Sequence, residues 1–431
     1  MATLLMIESW LHSTGLSLPP LIRESGHRYV LFTRDPSLYP DLPDGSAHPV
    51  VRDADEVVVV ETNGRPDLAA AATALAARRT VDGVLSTCDY YLEAVAHAAS
   101  TLGLPGVDAE VVRRAARKDE VRASTARAGL ATPAYRTAAS WEAARLAAAE
   151  LGYPLVAKPV DLNSGTSVRL VTDEAALKDA FWEVSGVERN TRGQRLARLL
   201  LMEQPLDGPE VSVEAVTRDG ETTVIGITAK AVDGARAFVE TGHRFPAALA
   251  PDTGAAVETH VRAALRAIGY THGLSHTEVR LTGQGPRIVE INPRQAGGYI
   301  FDLVRLVTGT HPLEVLIDLA LGRAPTVGTV RAPVAAGADA AAVAFVVSPS
   351  AGTVTRVDGT DRLAADPAVH RWETATPVRA GRPVDNNSRL GHVVTTGASG
   401  SDAGARAGAA VGSLRLRMDD GTTLAPFGHG G

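Results

Sequence analysis

Cysteine is almost missing from this chain of 431 residues: Cys88 stands alone. Neither an intramolecular disulfide nor a multi-cysteine metal site is available, and a reducing compartment fits. Long apolar runs are missing too. The opening run Leu4–Ile7 is too short for a signal segment or a spanning helix, and no basic stretch precedes it, so a cytoplasmic protein with no membrane partner is expected. Positive charge is not in excess, since 43 Lys+Arg against 49 Asp+Glu leave −6. That argues against a dedicated nucleic-acid surface and toward small-molecule partners. No GxGxxG follows the first apolar run, which removes support for a dehydrogenase-type dinucleotide fold. Internal repeats with a period of roughly 20–50 residues are absent as well. Few Lys beside abundant Ala, Gly, Arg and Asp reads as the coding bias of a GC-rich genome and carries no chemical weight.

What is present is ordinary globular composition, 45% apolar and 21% charged, at a length that suits two or three domains. Over the first hundred residues, short apolar runs (Thr3–Ile7, Tyr29–Thr33, Val57–Glu61, Gly83–Ser86) alternate with helical stretches around Leu16–Ser25 and Leu68–Arg79. That alternation predicts a parallel α/β sheet whose ligand edge lies at Glu8–Ser9, Thr33–Arg34 and Ser86–Asp89. A new unit starts at Asp108, a suitable N-cap, with a helix over Val111–Ala128 and another around Trp141–Leu151. Strands are expected at Leu155–Pro159, Val168–Val171, Leu199–Met202, Val211–Val216, Val224–Ala229, Leu274–Leu281 and Arg287–Ile291, with a helix at Ala255–Ile268. This reads as an α+β body. Short Val-rich pieces after Pro325 predict a small β-rich closing domain, and the residues from about Thr422 read as a frayed end.

The strongest chemical signal is Val289-Glu290-Ile291-Asn292-Pro293-Arg294, beside His276-Thr277-Glu278 on an expected partner strand. Alternation along a strand points Glu290, Asn292 and Arg294 the same way. Two carboxylates and an amide oxygen are the hard ligands that Mg²⁺ takes, with water and phosphate completing the shell. Arg294 adds a planar fork for phosphate or carboxylate. Lys158 ends an apolar strand, where a buried ammonium needs an anion such as phosphate. The loop Asn163-Ser164-Gly165-Thr166-Ser167 can wrap phosphate oxygens, although such a loop is more often a plain turn. Lys118, inside Arg117-Lys118-Asp119-Glu120, has a solvated helix face as its ordinary reading. Leu200–Leu206 offers backbone to an adenine edge, and Glu210 could accept from ribose hydroxyls.

Taken in order, Lys118, Val156-Ala157-Lys158-Pro159, the Asn163–Ser167 loop, Met202–Glu210, Glu278 and Glu290–Arg294 resemble the ATP-grasp superfamily across roughly Asp108–Pro325. The order and spacing carry the resemblance. It implies an ATP-grasp fold with a Rossmann-like domain at 1–107, an ATP-grasp domain at 108–325 whose lid spans about 120–198, and a β-rich domain at 326–431. It also implies that Lys118, Lys158, Ser164, Gly165, Thr166 and Ser167 bind ATP phosphates, and that Glu203, Gln204 and Leu206 meet adenine. Glu210 would hold ribose. Glu278, Glu290 and Asn292 would hold Mg²⁺, with Mn²⁺ able to substitute, and Arg294 would stabilise the transferred phosphoryl group.

Phe238-Val239-Glu240-Thr241-Gly242-His243-Arg244-Phe245-Pro246 is similar to the stretch found in ATP-grasp amino-acid ligases (dipeptide synthetases). By that resemblance Glu240 engages a substrate ammonium and His243, read as a loop residue, orients acceptor or acyl phosphate. Gly297 and Gly298 let backbone amides approach an oxyanion, and the bulky aromatic that some dipeptide ligases carry here is not evident, since Gly298 precedes Tyr299. The implied reaction joins an amino acid, activated as acyl phosphate, to the amine of a second, giving a dipeptide or γ-glutamyl-type amide. Homodimers are common in the family. The competing readings are a bicarbonate- or formate-using ligase of carboxylase or purine-pathway type, a phosphotransferase, and a binding protein that has lost catalysis.

Overall fold

The computed structural model describes residues 1–233, 238–327, 338–380 and 389–428. At the N-terminus, four parallel strands lie in the order Glu56–Val59, Arg28–Thr33, Thr3–Ile7 and Gly83–Leu85. Both faces of the central strand are covered, as its continuous apolar run requires. Leu4 and Met6 pack into the core that holds Leu18 and Ile22 of helix Thr14–Glu24, while Leu5 and Ile7 face Leu68, Ala72 and Leu75 of helix Arg65–Arg78.

The helix expected over Val111–Ala128 is instead two, Ala109–Ala116 and Lys118–Arg127, broken at Arg117 with φ −100° and ψ 109°. At the break the Lys118 amide donates to the Val160 carbonyl at 3.1 Å, so a tertiary bond replaces one turn of helix. Asp108 caps the first helix through Glu110 N at 2.8 Å. A small antiparallel sheet follows, ordered Tyr135–Ala138, Leu200–Glu203, Leu155–Pro159 and Arg169–Val171. Helices Trp141–Leu151 and Glu174–Gly186 cover it, each started by a side-chain cap, Ser140 and Asp173.

The largest sheet has eight antiparallel strands: Gly285–Asn292, Gly273–Thr282, Glu210–Arg218, Glu221–Asp233, Val239–Phe245, Ala340–Val347, Arg389–Gly397 and Val369–Thr374. It runs without interruption across position 326, because Gly242 pairs with Ala344. A Cβ on Gly242 would stand 2.3 Å from the Val343 carbonyl oxygen, so only glycine allows that approach. His243, read in the sequence as a loop residue, therefore lies on an interior strand. A four-stranded sheet, Val378–Ala380, Gly352–Asp358, Arg415–Met418 and Thr423–Leu424, completes the C-terminal part. Helix Gly400–Gly412 is added to the β-rich expectation: its Ala403, Ala407 and Val411 recur at four-residue spacing and are buried. The end expected to fray keeps strand Thr423–Leu424, and the last three residues lie outside the described ones. Among the described residues, no helix is long and apolar enough to cross a membrane.

Candidate active site

The small sheet and the eight-stranded sheet face each other across a cavity of about 270 Å³. Lys158, Ser164, Gly165, Glu203, Gln204, Leu206, Glu210, Glu240, His243, Glu278, Glu290, Asn292, Arg294, Gly297 and Gly298 all line it. Lys118 stands just behind, its ammonium 3.2 Å from a Glu290 oxygen. Thr166 is not on the wall, and Ser167 turns its hydroxyl to Glu183 at 2.9 Å.

Lys118 is not a solvated surface lysine. It opens the helix Lys118–Arg127, is only 8% exposed, and donates to the Leu162 carbonyl at 2.6 Å. Burial pushes the Glu290 carboxyl up, but the Lys118 charge and the Asn292 amide, donating at 2.9 Å, hold it down at about 2. Lys158 does have its anion, and that anion is Glu203 of the neighbouring strand. Arg122 grips the same carboxylate, Nε at 2.9 Å and Nη2 at 3.3 Å, and donates to the Val289 carbonyl at 2.9 Å. The fully buried Arg122 thus ties the small sheet to the strand that carries Glu290 and Asn292, and sequence reasoning missed it.

The large sheet arranges the acids in rows. One row across adjacent strands runs Arg280, Glu210, Lys230, His243; the next runs Glu290, Glu278, Ser212, Thr228; the third runs Asn292, His276, Glu214. Lys230, also missed, sits among three carboxylates: Glu210 at 2.9 Å, Glu240 at 2.7 Å, and Glu278. Burial opposes its charge, yet those acids raise its pKa well above the ordinary lysine value. Its cue was register, since an apolar strand gives no reason for a lysine opposite Glu210. Glu240 also receives Arg389 Nη2 at 2.8 Å, and that guanidinium lies 3.8 Å over the Phe345 ring.

Glu290 and Asn292 do share a face, but the strand ends at Asn292. Arg294 departs from the expected alternation: it reaches the N-terminal domain, pairing with Asp89, and donates to the Gln295 carbonyl at 2.8 Å. Asp89 in turn accepts from Asn163 at 2.9 Å. Of the other expected edge residues, Glu8 is sealed by Tyr39, Thr33 and Thr62 hydroxyls at 2.6, 2.9 and 2.8 Å. Ser9 presents its carbonyl to Arg192 at 2.7 Å. A second recess, about 440 Å³, opens here, between Trp10, Asp89, Arg192 and Arg294.

His243 lies edge-on to Phe345, ring centroids 5.3 Å apart, and burial lowers its pKa to about 3, so the imidazole is neutral. Its Nδ1 has no hydrogen-bond partner among the described residues. Gly298 adopts φ +56°, and a Cβ there would meet His243 Nε2 at 2.8 Å. The cavity thus brings oxygen donors on one sheet face together with Lys158 and Arg294, side chains whose chemistry suits a divalent cation and phosphate oxygens.

Known proteins are similar to this chain. The model of the ATP-grasp domain matches residues 151–302, and that of the ATP-grasp N-terminal domain matches 23–106. The chain belongs to the ATP-grasp superfamily. Its residues 344–419 match the L-amino acid ligase C-terminal domain 2. An alanine–anticapsin ligase of Bacillus amyloliquefaciens is 24% identical over 258 residues, 56% of this chain and 54% of that protein. Carnosine synthase 1 of Gallus gallus is 31% identical over 269 residues, 58% of this chain and 28% of that one. The aligned stretch thus spans about half or less of these ligases. The crystal structure of an L-amino acid ligase from Bacillus licheniformis superposes with a TM-score of 0.78 at 22% identity, covering 96% of this ATP-grasp chain and 98% of that one.

Proposed function

We propose that this ATP-grasp protein is an ATP-dependent carboxylate–amine ligase acting on amino acids. A carboxylate oxygen of the first amino acid attacks the γ-phosphorus of ATP, ADP leaves, and an acyl phosphate forms. The amine of the second amino acid then attacks the acyl carbon, phosphate leaves with the former carboxylate oxygen, and the amine gives up a proton. The products are ADP, phosphate and an amide.

The observation that carries this reading is the convergence of Glu278, Glu290, Asn292, Arg294 and His243 on one cavity. An all-oxygen donor set of two carboxylates and one amide fits Mg²⁺. When bound, the ion neutralises phosphate charge during transfer. Lys118 and Lys158 would exchange Glu290 and Glu203 for phosphate oxygens, with Ser164 and Gly165 closing over them. Backbone of Glu203, Gln204 and Leu206 would meet adenine, and Glu210 ribose. Arg294 and the neutral His243 would face the acyl phosphate, beside the amides of Gly297 and Gly298. Glu240 already matches two cations, so its part is to hold Lys230 and Arg389 at the cavity wall. The recess beside Trp10 and Asp89 supplies room for the second substrate.

A matrix of amino-acid pairs, assayed for phosphate release with mass spectrometry of the product, tests the proposal. An amide that requires both amino acids supports it. Turnover that needs bicarbonate, or a stable phosphorylated product, sinks it.

A further inference from the structure

The third row of the large sheet contains an acid that the proposed chemistry does not use. Glu214 is buried on strand Glu210–Arg218, and its carboxylate accepts from Ser212 Oγ at 2.7 Å. Directly across the ladder stands His276, whose Nδ1 is 3.1 and 3.0 Å from the two Glu214 oxygens. The other ring nitrogen, Nε2, faces Glu278 Oε1 at 3.5 Å. A carboxylate oxygen thus stands at each ring nitrogen. Glu214, His276 and Glu278 therefore form a continuous chain of side chains that leads from the sheet interior to the cavity wall.

Lys230 approaches the same oxygen, Glu278 Oε1. Two anchored side chains on one oxygen restrict how the Glu278 carboxylate can turn. A buried ion pair gains little stability over apolar packing, because both charges must be desolvated. A carboxylate behind the imidazole does, however, fix the ring's orientation, as outer carboxylates do for ligand groups of metal sites.

We infer that Glu214 and His276 are positioning residues that orient the Glu278 carboxylate for a divalent cation and so set the affinity of the metal–nucleotide complex. This rests on Glu278 being a metal ligand, as proposed above. Removing such outer support costs metal affinity roughly 10–100-fold in comparable sites.

The test uses the full chain with ADP and Mn²⁺, free Mn²⁺ being read by electron paramagnetic resonance. ADP affinity in EDTA and circular dichroism are measured alongside. His276→Gln is expected to weaken Mn²⁺ binding roughly 10–100-fold, with ADP affinity in EDTA unchanged within about twofold. Glu214→Gln keeps the shape but removes the charge, so it should weaken Mn²⁺ binding in the same direction; it decides the matter should His276→Gln fail to fold. Glu278→Gln is the reference and should lose the tight Mn²⁺ site. Wild-type Mn²⁺ affinity in both His276→Gln and Glu214→Gln, with the site lost in Glu278→Gln, overturns the inference and leaves the ligase reading standing. Wild-type affinity in Glu278→Gln as well overturns the metal assignment itself, and the inference with it.

Discussion

Replacing Arg122 with methionine removes the connection between the small sheet and the strand that carries Glu290 and Asn292. Glu203 would lose two charged hydrogen bonds, at 2.9 and 3.3 Å, and keep only Lys158, while the Val289 carbonyl would lose its donor at 2.9 Å. Both partners are almost wholly buried, so the stranded carboxylate cannot recover the loss from water. Breaking one partner of a buried pair costs about 3–5 kcal/mol. Arg136→Met is the matched control, because Arg136 and Glu150 also pair at 2.9 Å but with side chains 54% and 60% exposed. An exposed pair of that kind is worth about 0–1 kcal/mol. Urea unfolding followed by tryptophan fluorescence reads both variants, since Trp141 and Trp182 sit on the helices over the small sheet. Adding Glu203→Gln to Arg122→Met removes the stranded charge, so the double variant should lose less than the sum of the two single losses. Equal, small effects for Arg122→Met and Arg136→Met would refute the role given to this pair.

Gly298→Ala should cost about 1–2 kcal/mol for a left-handed backbone and displace the buried His243 that its Cβ would meet at 2.8 Å. A lower thermal midpoint and slower turnover at unchanged KM for ATP would be the signature. Lys230→Met leaves Glu210, Glu240 and Glu278 without their shared cation. The loss of stability should be several-fold larger at pH 8 than at pH 5, because protonating the acids relieves their repulsion; urea midpoints at the two pH values check this. The Glu214 carboxylate raises His276 to about 10 despite burial. A raised folded-state value means that this contribution is complete below pH 6.5 and is lost as pH climbs through about 10. His276→Gln should therefore flatten the stability profile over that window, and an unchanged profile would count against the pairing.

Much of this was legible in the sequence because it is local. Alternating apolar runs fixed the parallel sheet of the first domain, and the Glu290-Ile291-Asn292 alternation placed two donors on one face. What stayed hidden depends on register between distant segments. Arg122 lies 81 residues from Glu203 in a charged helix that reads as solvated. Lys230 and His276 acquire meaning only when strands pair them with Glu210 and Glu214. The helix break at Arg117 comes from a bond to Val160, and the turn of Arg294 toward Asp89 from docking of the N-terminal domain. His243 reads as a loop residue in the sequence, since its place in the sheet depends on pairing with a strand some hundred residues away. In the fold, Gly242 is there for strand approach to Val343.

The central claim is that a substrate carboxylate is activated through its own oxygen on phosphate. Turnover of an amino-acid pair whose first member carries ¹⁸O in the carboxylate tests this directly, with mass spectrometry of the released phosphate. Ligation through an acyl phosphate predicts one ¹⁸O atom transferred to each phosphate formed with the amide. Amide formation with unlabelled phosphate would contradict it.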